Sequence, residues 1–380
     1  MRHSAPLAFA LVTLIVPAAR GQTPAHPPAP LTDVAAFAVE LDSLRRAHHI
    51  PGLAATVVHR GEVVLSRGYG LAYVDDEVPV TPDTPFWIAS VTKTFVGLLF
   101  LGLEESGEVR LDDRIASVPE WTGFCGWLAG SGIVFGRDLR CSAPITVRHV
   151  LHHTAQGEPG TRFSYNPILY SRLSRYLEHT YGGSVREVEG RQNRLARLVD
   201  ARILAPAGMR RTMASQWQRE RADVFFDLAQ GYGVEDGEFV PRVRPERHIA
   251  GGAGIVSTVE DLARYDLALD AGRLGSPAVM ARLFVPPTLA DGSASPYAFG
   301  WYVQTYRGER LVWHSGWDEE AGFSALYLKV PARRLTLVLL ANAGGLWWDN
   351  PLDAAQVEGS PFARAFLDHF VFGAAPAGDR

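Results

Sequence analysis

The spacing of hydrophobic positions changes along the chain, and each change predicts an element of secondary structure. Near the start, apolar residues recur at helical spacing in VAAFAVELDSLRRAHH, which predicts an amphipathic helix. Two runs rich in β-branched residues follow, GLAATVVH and EVVLSRGYGLAYV, and the Arg60-Gly61 pair between them is typical of a hairpin turn. The first hundred residues therefore contain a helix followed by a β-hairpin.

The last part of the chain has strand-like patterns from Tyr297 onwards. Short connections, RGE and PARR, separate successive apolar runs, which predicts antiparallel strands joined by hairpins. A final helix is predicted for PFARAFLDHFVF. The predicted strands are YAFGWYVQTY, RLVWH, GFSALYLKV and RLTLVLLANA.

The middle of the chain differs from both ends. Residues 111 to about 245 are rich in Arg and carry helical patterns in ITVRHVLHH, ILYSRLSRYLEHTY and VEGRQNRLARLVDARIL. A further helix should be capped by Ser257 or Thr258. We therefore expect an α/β (α+β) fold, in which an antiparallel sheet flanked by helices is built from residues 31–110 and 246–372. The mostly helical segment is inserted between these halves, and the active site is expected in the crevice where the two lobes meet.

One predicted helix is apolar on nearly every side. It extends from Val91 to Leu103 and ends in the polar sequence EESG. A helix without a polar face belongs in the interior of a core. Gly107 is a natural end point, because glycine readily adopts the left-handed conformation that terminates helices.

The two ends of the chain are not expected to belong to the fold. The first 21 residues contain a positive residue, the apolar run LAFALVTLIVPAA and small residues before Gln22, as in a cleaved secretory signal peptide. This run is shorter than the about 20 apolar residues that span a bilayer, so no stable membrane anchor is expected. Residues 22–30 are predicted to be a Pro-rich spacer, and residues 373–380 a flexible tail. The catalytic domain, 31–380, should be exported to a periplasm or the extracellular space.

Charge and cysteine content narrow the possible partners. The chain has 37 Lys and Arg against 41 Asp and Glu, a formal net charge of −4. Without a basic tract, nucleic acid and anionic membranes are poor partners. Cys125 and Cys141 are the only cysteines, which predicts a disulfide in an exported protein, and the alternative is two unrelated buried thiols. No metal or cofactor is expected, and His152-His153 is interpreted as structural.

Lysine is almost absent from the chain. Only Lys93 and Lys329 occur among the 37 basic residues, and Lys93 follows Ser90 by three positions, which places both on one helix face. A nucleophilic serine needs a neighbour that accepts its proton. Burial lowers the pKa of a lysine from about 10.4 toward 7, whereas arginine stays protonated. The pair therefore predicts a nucleophile and its base; the alternative is a helix-capping serine beside a solvated lysine.

Several segments, taken in order, resemble the serine β-lactamase and penicillin-binding superfamily, in its class C β-lactamase-like branch with esterase and D-amino-peptidase relatives. The resemblance runs from about Ala35 to Phe372 and implies a β-lactamase/transpeptidase-like fold and a serine hydrolase that forms an acyl-enzyme. The segments are FWIASVTKTF, ITVRHVLHHTAQG, RFSYNPILYSRL, APAGMRRTMAS, GGAGIVSTVEDLARY and WHSGW with the strands after it.

The resemblance assigns roles to three residues of the reaction. Ser90 would be the acylated nucleophile and Lys93 its proton acceptor. Tyr165 would relay a proton to the leaving group in a partly anionic form, which requires a cationic neighbour to lower its pKa. The alternative for Tyr165 is an aromatic side chain that only packs in the core.

A second group of residues occupies the place of the family's third motif. His314, Ser315 and Gly316 would form one wall of the site, where glycine lets a substrate lie along an edge strand. The N–H groups of Trp317 and Ser90 would form the oxyanion hole. The alternative for His314 is a surface histidine at the end of a strand.

Two departures from the family pattern affect the expected activity. Pro167 follows Tyr165-Asn166 at the position where the family has a catalytic asparagine, so Asn166 is only a possible substitute, one position away. His314 replaces a lysine, which removes the permanent cation that attracts a β-lactam carboxylate. We expect an esterase, peptidase or amidase acting on a small-molecule or peptide-like substrate rather than an efficient β-lactamase.

The same departures permit a function of another class. With the asparagine position lost, the protein would bind penicillin-like or peptidoglycan-like ligands, or become acylated without turnover, and act as a sensor or interaction module. The aromatic pair Trp347-Trp348 either lines a substrate cleft or covers the core.

Overall fold

The structure, a computed structural model, describes residues 33–182, 193–215, 218–245 and 249–373. The predicted signal peptide, the Pro-rich spacer and the tail from residue 374 lie outside these residues, as does the start of the helix predicted for VEGRQNRLARLVDARIL. None of the described helices is long and apolar enough to cross a bilayer. Within the same ranges, no group of three or more His, Cys, Asp and Glu side chains is arranged to hold a metal ion.

The strands form one large sheet and two small ones. They are β1 (Gly52–His59), β2 (Glu62–Tyr73), β3 (Val78–Pro79), β4 (Phe86–Trp87), β5 (Tyr232–Glu235), β6 (Glu238–Pro241), β7 (Val256–Ser257), β8 (Tyr297–Ala298), β9 (Trp301–Tyr306), β10 (Glu309–Asp318), β11 (Phe323–Val330) and β12 (Leu335–Ala341). The large sheet has the order β3-β2-β1-β12-β11-β10-β9-β8, with every neighbouring pair antiparallel. Leu53 of β1 pairs with Ala341 of β12, so both ends of the chain build one sheet.

Helices cover the sheet, as the predicted fold class requires. They are α1 (Val34–Ala47), α2 (Thr92–Glu105), α3 (Trp121–Gly130), α4 (Val147–Leu151), α5 (Pro167–Tyr170), α6 (Arg172–Thr180), α7 (Arg194–Val199), α8 (Ala205–Ala207), α9 (Ala222–Phe226), α10 (Val259–Asp270), α11 (Pro277–Arg282) and α12 (Pro361–Leu367). Every residue of β11 and β12 is buried, which means that both faces of the central strands are covered. Of the two predicted caps of α10, Thr258 accepts the hydrogen bond from the Asp261 N–H at 3.1 Å.

The apolar helix α2 lies in the interior, as its sequence predicts. Eleven of its fourteen residues are buried, and the chain leaves the helix at Gly107, where φ is +74°. A β-carbon at Gly97 would lie 1.8 Å from the carbonyl oxygen of Phe299. Glycine is therefore required where α2 crosses the chain before β9.

The structure contains one hairpin that the sequence pattern did not predict, and one predicted strand is wrong. The segment predicted to be mostly helical also contains the hairpin β5–β6, whose turn residues Asp236 and Gly237 both have positive φ. An Asp-Gly turn is a strong hairpin signal, but the flanking strands are too short and polar to stand out. The strand predicted for YAFGWYVQTY is broken at Phe299-Gly300, where φ is +43° and +90°, so that β8 folds back on β9.

The two cysteines form the predicted disulfide. Cys125 in α3 is bonded to Cys141, with their Cα atoms 5.7 Å apart, and neither thiol is free. The enclosed loop is attached to the rest of the fold by the carbonyl of Phe135, which accepts a hydrogen bond from the Asn166 side chain at 2.7 Å. The disulfide loop therefore lies against the segment that follows Tyr165.

Candidate active site

Ser90 lies in a tight turn between the two-stranded sheet β4–β7 and helix α2. The chain leaves β4, forms one 3₁₀ turn over Ala89–Val91 and enters α2 at Thr92. Ala89, immediately before the serine, has φ of +44°, a conformation that costs a non-glycine residue roughly 1–3 kcal/mol. Backbone strain of this kind is concentrated at functional sites, where the rest of the fold holds it in place.

Lys93 is fully buried directly beneath the serine. Its Nζ lies 2.8 Å from Ser90 Oγ and donates to the carbonyl oxygen of Gly252 at 2.7 Å. The rings of Tyr165 and Tyr170 lie 5.1 and 5.5 Å from the same nitrogen. Burial lowers the pKa of Lys93 well below its usual value, so the neutral amine is favoured. The i, i+3 contact predicted from the sequence is present.

The other lysine shows what a buried amine looks like when it is only structural. Lys329 is also buried, but it forms ion pairs with Asp266 and with Asp270, the latter at 2.9 Å. Burial alone would lower the pKa of Lys329, but the two carboxylates outweigh it and raise the pKa. The hydrogen-bond partners of Lys93 are a hydroxyl and a carbonyl instead, so its ammonium form has no such support.

Tyr165 is brought to the same place from a distant part of the chain. It is 5% exposed, and a hydrogen bond links it to Ser90. Burial raises the pKa of Tyr165, and the hydrogen bond from Ser90 only partly opposes this. The structure thus favours a protonated phenol beside a neutral amine, in contrast to the partly anionic tyrosine that the family resemblance implies. The reason is that burial of Tyr165 disfavours the charged phenolate and raises its pKa.

His314 is buried in the middle of β10 rather than exposed at a strand end. Its Nδ1–H donates to the carbonyl of Ser315 at 2.6 Å, and its Nε2 therefore accepts from the Tyr297 hydroxyl at 2.9 Å. Burial lowers the pKa of His314 to about 3, and the nearby Lys93 contributes in the same direction. This histidine is neutral at physiological pH, and the third motif supplies no cation.

The strand that carries His314 has an open edge beside the serine. Strand β9 pairs with β10 only as far as Trp313, so the stretch 314–318 has no strand partner on that side within the described part of the chain. A β-carbon at Gly316 would lie 2.4 Å from the carbonyl oxygen of Ile88, so glycine permits the close approach of β10 to the serine turn. Next to it, Trp317 is 40% exposed and stacks on Trp347 with ring centroids 5.1 Å apart.

Asn166 does not reach the serine. Its amide nitrogen donates to Phe135 O at 2.7 Å and to Gln156 Oε1 at 3.0 Å, and its oxygen caps α5 by accepting from the Leu169 N–H. Pro167 forms the first residue of α5, a position that suits proline. The structure therefore brings Ser90, Lys93 and Tyr165 together and leaves Asn166 in a capping role.

Sequence reasoning missed several groups around this site. They are the carbonyl of Gly252, the rings of Tyr170 and Tyr297, the imidazole of His153 and the carboxylate of Asp353. None of them lies in the motif of Ser90, and they reach the site only through the tertiary fold. The glycine-rich GGAGIVS segment carries part of the family resemblance, but the hydrogen bond from Lys93 to its Gly252 carbonyl could not be predicted from it.

The family model described as Beta-lactamase matches residues 36–358, and the chain belongs to that family. The resemblance predicted from the motifs, to the β-lactamase-related superfamily, is confirmed. The chain is 29% identical over 283 residues to a D-aminopeptidase of Brucella anthropi, covering 70% of this chain and 51% of that protein. It is 28% identical over 335 residues to a D-aminopeptidase of Gluconobacter oxydans (strain 621H), covering 83% and 59%. It spans little more than half the length of these curated relatives.

Solved structures share the fold. The octameric penicillin-binding protein homologue from Pyrococcus abyssi matches with a TM-score of 0.68 at 22% identity, covering 88% of this chain and 77% of that one. The D-alanine carboxypeptidase AmpC from Burkholderia cenocepacia matches with a TM-score of 0.64 at 20% identity, covering 88% and 98%. A class C β-lactamase from Rhodobacter sphaeroides matches with a TM-score of 0.61 at 21% identity, covering 88% of this chain and 98% of that one. These likenesses confirm the predicted fold.

Proposed function

We propose that the protein hydrolyses amide or ester bonds of peptide-like substrates through an acyl-enzyme on Ser90. The observation that carries this proposal is the 2.8 Å contact between Lys93 Nζ and Ser90 Oγ, at a fully buried amine that has no carboxylate partner among the residues that the structure describes. A neutral amine at hydrogen-bond distance from a hydroxyl is the arrangement that a nucleophilic serine requires.

The proton movements follow from this arrangement. As Ser90 Oγ bonds to the substrate carbonyl carbon, the lone pair of Lys93 Nζ takes the hydroxyl proton, and negative charge develops on the carbonyl oxygen. The N–H groups of Ser90 and Trp317 would stabilise that charge. The protonated amine then returns a proton through the Tyr165 phenol to the leaving nitrogen or oxygen as the carbon–leaving-group bond breaks. Water cleaves the acyl-enzyme by the same path in reverse.

The charges around the cleft favour a substrate that carries an ammonium group. His314 is neutral, so the third motif offers no cation to a substrate carboxylate. The turn after Trp317 instead bears Asp318, Glu319 and Glu320, and an exposed indole face attracts cations. We infer a preference for substrates with a free amino terminus, in keeping with the D-aminopeptidase names of the relatives.

Export is part of the proposal. It is supported by the apolar run before Gln22 and by the disulfide between the only two cysteines, since such bonds persist in oxidising compartments. Determination of the mature N-terminus after expression with its own leader tests it. A chain that retains Met1 would contradict export by cleavage.

The activity is tested with D-alaninamide, N-acetyl-D-alaninamide, p-nitrophenyl acetate and a fluorescent penicillin, on the wild type and on Ser90→Ala. Turnover that disappears in Ser90→Ala supports the hydrolase, and preference for D-alaninamide over its N-acetylated form, which lacks the ammonium group, supports the inferred free amino terminus. A stable adduct on Ser90 without turnover, seen as a mass increase, would instead favour the alternative of a penicillin-binding-like sensor. Turnover that survives Ser90→Ala would overturn both.

A further inference from the structure

The backbone around Tyr165 is held by three hydrogen bonds to three consecutive N–H groups. The Ser164 N–H donates to His153 O at 2.7 Å, the Tyr165 N–H to Asp353 Oδ1 at 2.8 Å, and the Asn166 N–H to His153 Nδ1 at 3.0 Å. One histidine thus contacts both sides of the tyrosine, and a carboxylate 188 residues away contacts the tyrosine itself. We call this set of contacts the Tyr165 clamp.

His153 makes both of its contacts at a conformational and electrostatic cost. Its φ of +54° is in the left-handed region, which costs about 1–2 kcal/mol and is what turns its carbonyl and its ring toward one segment. Because Nδ1 accepts a hydrogen bond, the ring proton lies on Nε2, which is buried without a partner among the described residues. An unpaired buried donor costs about 1–3 kcal/mol more. A packing role alone would be served better by an apolar ring.

The imidazole of His153 also packs against the aromatic rings of the site. Its centroid lies 4.4 Å from that of Tyr165 and 4.7 Å from that of Tyr297. Burial, together with the nearby Lys93, lowers the pKa of His153 well below its usual value. The ring stays neutral, so Nδ1 remains a hydrogen-bond acceptor at physiological pH.

We propose that His153 and Asp353 are positioning residues, which fix the Tyr165 phenol for proton transfer between Lys93 and the leaving group. This inference rests on the proposed function, in which the phenol is the last donor to the leaving atom. Misplacement of a proton donor by 1 Å costs up to about 100-fold in rate. The clamp therefore acts through Tyr165, and neither residue touches the substrate.

The leaving group distinguishes this role from general packing. The amide nitrogen of D-alaninamide must gain a proton as it leaves, whereas p-nitrophenolate leaves p-nitrophenyl acetate without one. Loss of the clamp should therefore lower kcat for the amide by about 100-fold, within the usual contribution of general acid–base catalysis, and affect the ester by less than about tenfold. Tyr165→Phe should give the same selective loss.

Matched variants distinguish the effect of each hydrogen-bond acceptor from that of the His153 ring and of the Asp353 charge. His153→Phe keeps a ring but removes the acceptor, so it should show the selective loss, while the Asn166 N–H left without an acceptor lowers the free energy of unfolding. His153→Asn restores an acceptor oxygen and tolerates positive φ, so it should recover at least about tenfold of the lost amide rate. Asp353→Asn retains an acceptor oxygen without the charge. Its kcat for the amide should therefore exceed that of Asp353→Ala by a similar factor. KM should change little in all four.

The outcomes separate the clamp from the hydrolase itself. Equal losses for amide and ester, or no loss in His153→Phe and Asp353→Ala, would overturn the clamp while Ser90→Ala remains inactive. Activity that persists in Ser90→Ala would overturn the proposed function instead. If His153→Phe does not fold, amide hydrogen exchange decides independently of any substrate: residues 163–168 should exchange faster in Asp353→Ala than in Asp353→Asn. Equal exchange in this pair would also overturn the clamp.

Discussion

Two buried lysines in one chain show how strongly the surroundings of a side chain determine its chemistry. Lys329 is neutralised by Asp266 and Asp270, and its pKa is raised, while Lys93 faces a hydroxyl and a carbonyl, and its pKa is lowered by burial. Both side chains are excluded from water, so exposure cannot distinguish them. Carboxylate partners keep the amine of Lys329 charged, whereas Lys93 donates to a hydroxyl and a carbonyl, which is why we propose Lys93 as the base.

Substitution of each lysine by methionine should change stability in opposite directions. Lys93→Met removes an amine that is charged in the unfolded chain and neutral in the fold, so the free energy of unfolding at pH 7 should rise by about 1 kcal/mol or more. Lys329→Met leaves the carboxylate of Asp266 buried without its cationic partner. The free energy of unfolding should therefore fall by about 3–5 kcal/mol. Urea unfolding of both variants at pH 7 measures this. A destabilised Lys93→Met would contradict the lowered pKa of Lys93.

The stability difference for Lys93 should itself depend on pH. Because the pKa of Lys93 is lower in the fold than in the unfolded chain, the native state binds fewer protons between the two values. The stability of the wild type should thus rise with pH across that window, and the advantage of Lys93→Met should be smaller at pH 9 than at pH 7. Urea unfolding at pH 7 and pH 9 tests whether the stability of the wild type rises with pH relative to that of Lys93→Met.

The pH dependence of acylation should follow the same lysine. The rate with p-nitrophenyl acetate, corrected with Ser90→Ala, should fall toward acid as Lys93 gains a proton and level off at a pH well below the pKa of an ordinary lysine. A lysine with an ordinary pKa near 10.4 would give a tenfold rise per pH unit through pH 9, and that result would exclude a neutral Lys93. The pKa of His314 is lowered to about 3, so this histidine stays neutral above pH 5 and does not contribute to the fall.

At the scale of elements, local patterns predicted what is local and missed what depends on the fold. Helix α2 and the contact between Ser90 and Lys93 follow from residues within one helical turn of each other. The carbonyl of Gly252 reaches Lys93 across 159 residues, and Asp353 reaches Tyr165 across 188, so no window of sequence contains either contact. Such pairs are decided by how the sheet brings both ends of the chain together.

Helix α2 carries two glycines that should respond in opposite ways to alanine. At Gly97 a β-carbon would collide with the backbone of Phe299, so Gly97→Ala should destabilise the fold by about 1–3 kcal/mol and shift Lys93. A β-carbon added at Gly102 would have no neighbouring atom within 4 Å. Because alanine is favoured over glycine in a helix interior, Gly102→Ala should raise the free energy of unfolding by about 0.5–1 kcal/mol. Thermal unfolding compares the stability of the two variants. A Gly97→Ala variant as stable as the wild type would contradict the close approach of α2 to the Phe299 backbone.

At the scale of the whole molecule, the order of the sheet explains why the site is assembled late along the chain. The hairpin β1–β2 pairs with β12, so the sheet is complete only when the last strand is present. Ser90 and Lys93 come from the first third of the chain, Tyr165 from the helical insertion, and His314 from β10. The spacing of hydrophobic positions predicted the class of fold, and the motifs predicted these residues, but their geometry required the complete sheet.

The disulfide connects the helical insertion to this geometry, which leads to a final prediction. It closes a loop of 15 residues, and its loss should lower the free energy of unfolding by about 3 kcal/mol. The carbonyl of Phe135 within that loop holds Asn166, next to Tyr165. Reduction should therefore lower amide turnover as well as stability, because the segment after Tyr165 loses a support. Cys125→Ser/Cys141→Ser should reproduce both effects and no longer respond to a reducing agent, and full activity of this variant would contradict the link between the loop and the site.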